Sequence, residues 1–423
     1  MRILEFTLVG IHSLDLTDIL TLSKTSKGLW KAMRSLTEMH CTRAVTHDGL
    51  NKIISFFSEV KLLSLNSSLF DWGMTYRIFD HTQISLLRLK SLRLIELSPR
   101  CYVNHVSQGN PYNSQWAHIR SLDFHDCQST GLALEGIIVR CQNIFKLSLH
   151  GCIYIKDRHI SEILSKLLLL ETLDLSQLLG MQLLVLNENQ QRSLKFLRIT
   201  KCSFLRDIIT SNRSNYSLGQ SLQSLMFVDC SCTSVDSYCL QRIVSNSPRL
   251  ETLIAKECSA VVGTLTFISQ SVLYINLQHS CNMTKLRVEC PNLNRLDIQG
   301  CLTLKNLTIR SLCLRTLDLA MLVQLSVLEM SCPCVKDINF SGCRKLRDAR
   351  VSSRSPFSES FPRKYYRDNH IEEKSFINDA DFLHFGCLQL KVLNESDPTK
   401  ERHQQTHFAK VRSVKFSRRS SSI

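Results

Sequence analysis

IRSLDFHDC (residues 119–127) and IFKLSLHGC (144–152) decide how this 423-residue chain is read. Both follow the pattern L-x-x-L-x-L-x-x-C. So do LKFLRITKC (194–202), LQSLMFVDC (222–230), LETLIAKEC (250–258), LNRLDIQGC (293–301) and VKDINFSGC (335–343). LETLDLS (170–176) is a copy without the cysteine. In L-x-L the two apolar side chains point to the same side of a short strand, because side chains alternate along it. Stacked on the equivalent residues of the next copy, they make one continuous core, and the pattern predicts a solenoid. The cysteine falls where the chain turns inward, a bend that suits a small, apolar, weakly donating thiol. Cys127, Cys152, Cys202, Cys230, Cys258, Cys301 and Cys343 therefore read as reduced structural residues.

The copies have two rhythms. Up to about residue 258 they recur every 24–28 residues, which leaves room for a helix behind each strand. THDGLNKIISFF (46–57), KDRHISEILSKLL (156–168) and DSYCLQRIVSNSP (236–248) fit that role. In the second, Ile160, Ile163, Leu164 and Leu167 share one face behind Asp157. In the third, Leu240, Ile243 and Val244 do so, and Pro248 stops the helix. From residue 272 apolar strands begin at 272, 283, 293, 304, 314, 325 and 335, at alternating intervals of eleven and ten. Ten residues cannot hold a strand, a helix of several turns and two loops. Coils of about 21 residues with a strand on both sides are expected there, a flattened and mostly β solenoid. The segment 66–118 is less regular. Beyond 351 the chain turns polar and basic, with FLHFGCLQLKVL (382–393) as one isolated apolar stretch.

Lys and Arg number 52 against 37 Asp and Glu, a formal net charge of +15. The charge is scattered and densest in the last quarter, without the aromatic-basic interleaving of RNA-binding surfaces, so nucleic acid is not expected as a partner. No apolar run reaches membrane-spanning length, and the chain reads as cytoplasmic or nuclear. There is no phosphate-cradling loop, HExxH helix or nucleophile elbow, and no enzyme signature. Cys230-Ser-Cys232 and Cys332-Pro-Cys334 each lack a second pair at zinc spacing. His125 and His150 follow the L-x-L of successive copies and read as polar surface residues. Neither a metal nor a cofactor is expected.

At the other end, DLTDILTLSKTSKGLWKAM (15–33) places Leu16, Ile19, Leu20, Trp30 and Met33 at helical spacing, a natural end cap for a solenoid. The order L-x-D-I-L-x-L-S-x-x-S-K-x-x-W also resembles the second half of an F-box, and ILEFTLVGIHSL upstream is similar to that motif's first helix. With cysteine-containing repeats after it, the chain resembles the F-box/leucine-rich-repeat family. The resemblance implies an α/β fold: a small helical F-box-like segment (1–40), a leucine-rich-repeat solenoid (41–351) and a polar, basic tail (352–423). It implies a substrate-recognition subunit of an SCF-type ubiquitin ligase, partnered by the adaptor, the cullin scaffold and a protein substrate. Carried over by position, the adaptor-binding residues are Leu14, Leu16, Ile19, Leu20, Leu22 and Trp30. The alternative is a ligase-independent interaction scaffold whose first helices only cap the coil. In either case the variable strand positions supply the binding surface, with Asp123, His125, Lys146, His150, Asp174, Phe196 and Arg198 as candidates and Phe196 the out-of-place aromatic.

Overall fold

The computed structural model describes residues 119–127, 134, 138, 141–210 and 221–352, together with the backbone of four strands at 38–41, 62–66, 91–95 and 391–393. The expected helix at 46–57 and the segment 1–37 lie outside the described residues. What is described is a solenoid of parallel strands. β1 (Glu38–Cys41), β2 (Leu62–Asn66), β3 (Ser91–Ile95), β4 (Ser121–His125), β5 (Lys146–Ser148), β6 (Thr172–Asp174), β8 (Phe196–Arg198), β10 (Phe227–Asp229), β11 (Thr252–Ile254), β13 (Tyr274–Asn276), β15 (Arg295–Asp297), β17 (Thr316–Asp318) and β19 (Asp337–Asn339) form one 13-stranded sheet in that order. Consecutive members pair in parallel throughout.

Behind the long sheet the two rhythms of the sequence become two kinds of backing. α1 (Asp157–Lys166) and α3 (Ser237–Asn246) are the two expected helices, each burying its apolar face. Asp236 caps α3 by accepting the Cys239 N–H at 2.7 Å. Asp157 does not cap α1. Its carboxylate instead accepts the N–H groups of Gln182 and Leu183, at 2.9 and 3.2 Å, and so ties α1 to the following coil. In the later coils, β12 (Gly263–Ile268), β14 (Met283–Glu289), β16 (Asn306–Arg310), β18 (Val327–Ser331) and β20 (Asp348–Ser352) form a second parallel sheet, which β21 (Lys391–Leu393) extends. Tyr274 faces Arg295 and Thr316 faces Asp337 across the long sheet, which is the expected 21-residue coil. One feature is unanticipated. The helix-backed region also carries a two-stranded sheet, β7 (Leu183–Leu186) on β9 (Asp207–Thr210), with the short α2 (Glu188–Ser193) following β7.

Numbering the nine repeat places from the first leucine shows how each coil is locked. Places 4 and 6 point inward and are buried in every described coil from Leu122 and Phe124 to Leu317 and Leu319. Place 8 always has positive φ: Asp126, Gly151, Gln177, Lys201, Cys232, Glu257, His279, Gly300, Met321 and Gly342. That left-handed residue turns the chain off the sheet, and place 9 then drops into the core. There, cysteine thiols donate to the place-6 carbonyl of the preceding coil: Cys202 to Leu175 at 3.1 Å, Cys301 to Leu277 at 3.1 Å and Cys343 to Leu319 at 3.0 Å. Ser280 makes the same bond to Ala255 at 2.9 Å, so the donor is what the bend uses.

This register corrects one copy. LQSLMFVDC does not align as written, because Val228 pairs with Leu197 and Leu253 and therefore holds place 4. The coil reads Leu225-x-x-Val228-x-Cys230-x-Cys232-Thr233. Cys230 sits among the inward apolar residues, and Cys232 takes the left-handed place. Thr233 stands where the cysteine was expected.

Burial pushes the place-9 thiols up, to about 11 for Cys202 and about 12 for Cys301. A thiol of pKa 11 is thiolate in about one molecule in a thousand at pH 8. Iodoacetamide at pH 8 should therefore label, among the described residues, the half-buried Cys281 and Cys334 first, and more slowly Cys232 and Cys313, whose thiols burial also raises. Cys202 and Cys301 should react only after denaturation, which peptide mass spectrometry can score. Gly300→Ala should destabilise the chain by about 1–2 kcal/mol in urea titrations, because φ is +74° there.

Candidate protein-binding surface

Places 3 and 5 of each coil point away from the core and form two parallel rows on the open face of the long sheet. Place 3 runs Ser121, Lys146, Thr172, Phe196, Phe227, Thr252, Tyr274, Arg295, while place 5 runs Asp123, Ser148, Asp174, Arg198, Asp229, Ile254, Asn276, Asp297. Each residue lies one strand spacing, about 4.8 Å, from its neighbour in the row. Residues a whole coil apart in sequence thus become adjacent.

The rows differ in what they do. Acidic and amide groups at place 5 hold the bend two residues on: Asp174 accepts the Ser176 N–H at 3.0 Å, Asp229 that of Ser231 at 3.1 Å and Asn276 that of Gln278 at 3.1 Å. These are Asx turns, so the candidate Asp174 is partly committed to structure. It also faces Arg198 across 3.9 Å. Place 3 is freer. Phe196 is 44% exposed, and its ring lies 6.3 Å from that of Phe227. The Arg198 guanidinium stands 5.9 Å from the Phe227 ring, and that of Arg295 stands 5.2 Å from the Tyr274 ring. The Tyr274 hydroxyl donates to Asp297 at 2.8 Å. Burial, the first cause, raises its pKa above the ordinary tyrosine value. β8 to β15 thus present an aromatic patch edged by arginines.

Of the sequence candidates, Phe196 and Arg198 belong to this patch. Lys146, exposed, and Asp123, half-buried, lie on the same face on the coils before it. His125 ends β4 and His150 lies two residues past β5, both at place 7, and their rings stack on each other. Leu14, Leu16, Ile19, Leu20, Leu22 and Trp30 lie outside the described residues. Phe227, Tyr274 and Arg295 are patch residues that the sequence candidates do not include. The slipped register gives Phe227 an inward place. The clue to the true one is Val228-x-Cys230, an equally good inward pair one residue later.

The arrangement defines a class of molecule: a parallel-strand solenoid of leucine-rich coils that offers a fixed array of side chains. No family model matches the chain. No curated protein matches it by sequence. Solved structures do. The Rad7 and Elc1 complex in yeast is similar over 83% of this chain and 92% of that one, at 14% identity and a TM-score of 0.34. The TLR13–ssRNA13 complex is similar over 74% of this chain and 67% of that one, at 13% identity and a TM-score of 0.21. Superpositions that loose carry no argument about this chain. Its fold rests on its own strands. Among the described residues no helix is long and apolar enough to cross a membrane.

The register is open to a direct check. Phe227→Ala, on the open face, should cost under about 1 kcal/mol. Val228→Ala, wholly buried, should cost about 2–3 kcal/mol. Chemical denaturation of both variants distinguishes this register from the slipped one, which predicts the reverse order.

Proposed function

We propose that the chain is a substrate-receptor subunit of an SCF-type ubiquitin ligase, in which residues 1–40 dock on the adaptor and the open face of the solenoid holds a protein client. The observation that carries the client-binding half is the row of aromatics on the open face, the Phe196–Phe227 pair with Arg198 beside it and Tyr274 with Arg295 beside it. Aromatic and arginine side chains on a rigid frame are the residue types that dominate interface energetics: the rings bury large areas at little entropic cost, and the guanidinium adds planar stacking and several hydrogen-bond donors. The ligase half is supported by the resemblance of residues 2–34 to an F-box. On this reading the chain is no enzyme. It brings client lysines within reach of chemistry that another subunit performs, a contribution of proximity.

The test separates the two halves. Recombinant chain is mixed with an SCF adaptor, beside Leu16→Asp/Leu20→Asp and Phe196→Asp/Phe227→Asp variants, all checked for folding by circular dichroism. Adaptor binding should be lost in the first variant and kept in the second. In cells, proximity labelling should recover clients with the wild type that the second variant loses, and their ubiquitination should require both surfaces. Absence of adaptor binding by the folded wild type would leave an interaction scaffold whose first helices serve as a cap.

A further inference from the structure

We propose that His125, His150 and Asp126 form a surface site for a borderline divalent cation of the zinc type. The two imidazoles occupy place 7 of adjacent coils, and their rings stack with centroids 4.5 Å apart and planes 5° from parallel. The third donor arrives by a separate route. Asp126 holds the left-handed place with φ +52°, and its Oδ2 lies 3.3 Å from Nε2 of His125. It can lie there because the next coil has Gly151 at the equivalent place. A Cβ on Gly151 would fall 1.9 Å from Asp126 Oδ1.

The backbone holds the three residues side by side before any ion arrives. The Asp126 N–H donates to the His150 carbonyl at 2.8 Å, and the Gly151 N–H to that of Ser176 at 2.9 Å. One ligand atom from each of the three residues lies within 4.8 Å of the others, the one such group among the described residues. A tetrahedral zinc with bonds of about 2.0–2.1 Å sets its ligands roughly 3.3 Å apart. An imidazole nitrogen's lone pair lies in its ring plane, so binding requires the two rings to rotate out of their parallel stack until both point at one ion. Two imidazoles and a carboxylate suit zinc, nickel or copper rather than magnesium or calcium. Three protein ligands leave a fourth position that faces solvent, open to water or to a side chain of a bound partner.

The experiment uses the full chain and cobalt(II) as a spectroscopic stand-in for zinc. The wild type should show the visible absorption of four- or five-coordinate cobalt without a sulfur-to-cobalt charge-transfer band, and zinc should bleach it. His125→Gln and His150→Gln should each weaken binding by about tenfold or more, and Asp126→Asn by about tenfold. In the unmutated protein, zinc should protect His125 and His150 from diethyl pyrocarbonate while the exposed His279 still reacts. Undiminished cobalt binding in His125→Gln/His150→Gln, a thiolate charge-transfer band, or equal carbethoxylation with and without zinc would each overturn the site. The protection experiment needs no variant, so it decides the matter even where a substitution impairs folding.

Discussion

The bend that closes each turn governs the rest of the molecule. A parallel strand must leave the sheet, pass behind it and return one strand spacing further along, and every described coil begins that return at a residue of positive φ. Three of these residues are glycine. The other seven carry side chains in a conformation that costs an L-residue about 1–2 kcal/mol. The cost is offset by regular hydrogen bonding: N–H groups at this place, such as those of Lys201 and Glu257, donate to the next coil. Where a buried thiol follows, as at Cys202, Cys258, Cys301 and Cys343, it returns a bond to the coil before. The bends at Lys201 and Glu257, followed by Cys202 and Cys258, are therefore held from both sides.

The change from helix to strand on the back of the solenoid follows from the residues available per turn. Between Phe196 and Phe227 there are 31 residues of pitch, between Lys146 and Thr172 there are 26, and from Tyr274 onward there are 21. A ten-residue helix such as α1 fits the longer coils. At 21 residues the return path has space for a strand, and once one coil makes that choice its neighbour gains a hydrogen-bonding edge. β12, β14, β16, β18 and β20 propagate in this way. β7 and β9 show that the choice is not exclusive, since a coil can hold a back strand and a single short helix together.

Much of this is legible in the amino-acid sequence. The L-x-L spacing locates the strands, the interval of ten and eleven announces the second sheet, and α1 and α3 can be read from their apolar faces. The slip at LQSLMFVDC has a physical origin. Cys230 matches the motif's final cysteine in identity, and Phe227 matches its third apolar residue. But a cysteine is small enough for the inward strand place as well as for the bend, so residue type alone does not fix which one it fills. Register is settled by the hydrogen-bonded neighbours, and these come from Leu197 and Leu253, far away in the chain. The open-face patch is half visible for the same reason. Phe196 stands out within its own repeat, whereas Phe227, Tyr274 and Arg295 gain meaning only as its neighbours across the sheet.

β19, the last member of the long sheet among the described residues, pairs with β17 on one side. It is three residues long, with exposed Asp337 and Asn339 on either side of a half-buried Ile338. A parallel ladder carries no intrinsic limit on its length, and a long, flat, apolar final strand would recruit the first strand of another molecule. A short strand with an acidic side chain is a poor template for further growth. Among the described residues this tripeptide thus discourages one more ladder of the long sheet, while β20 and β21 carry the second sheet past it.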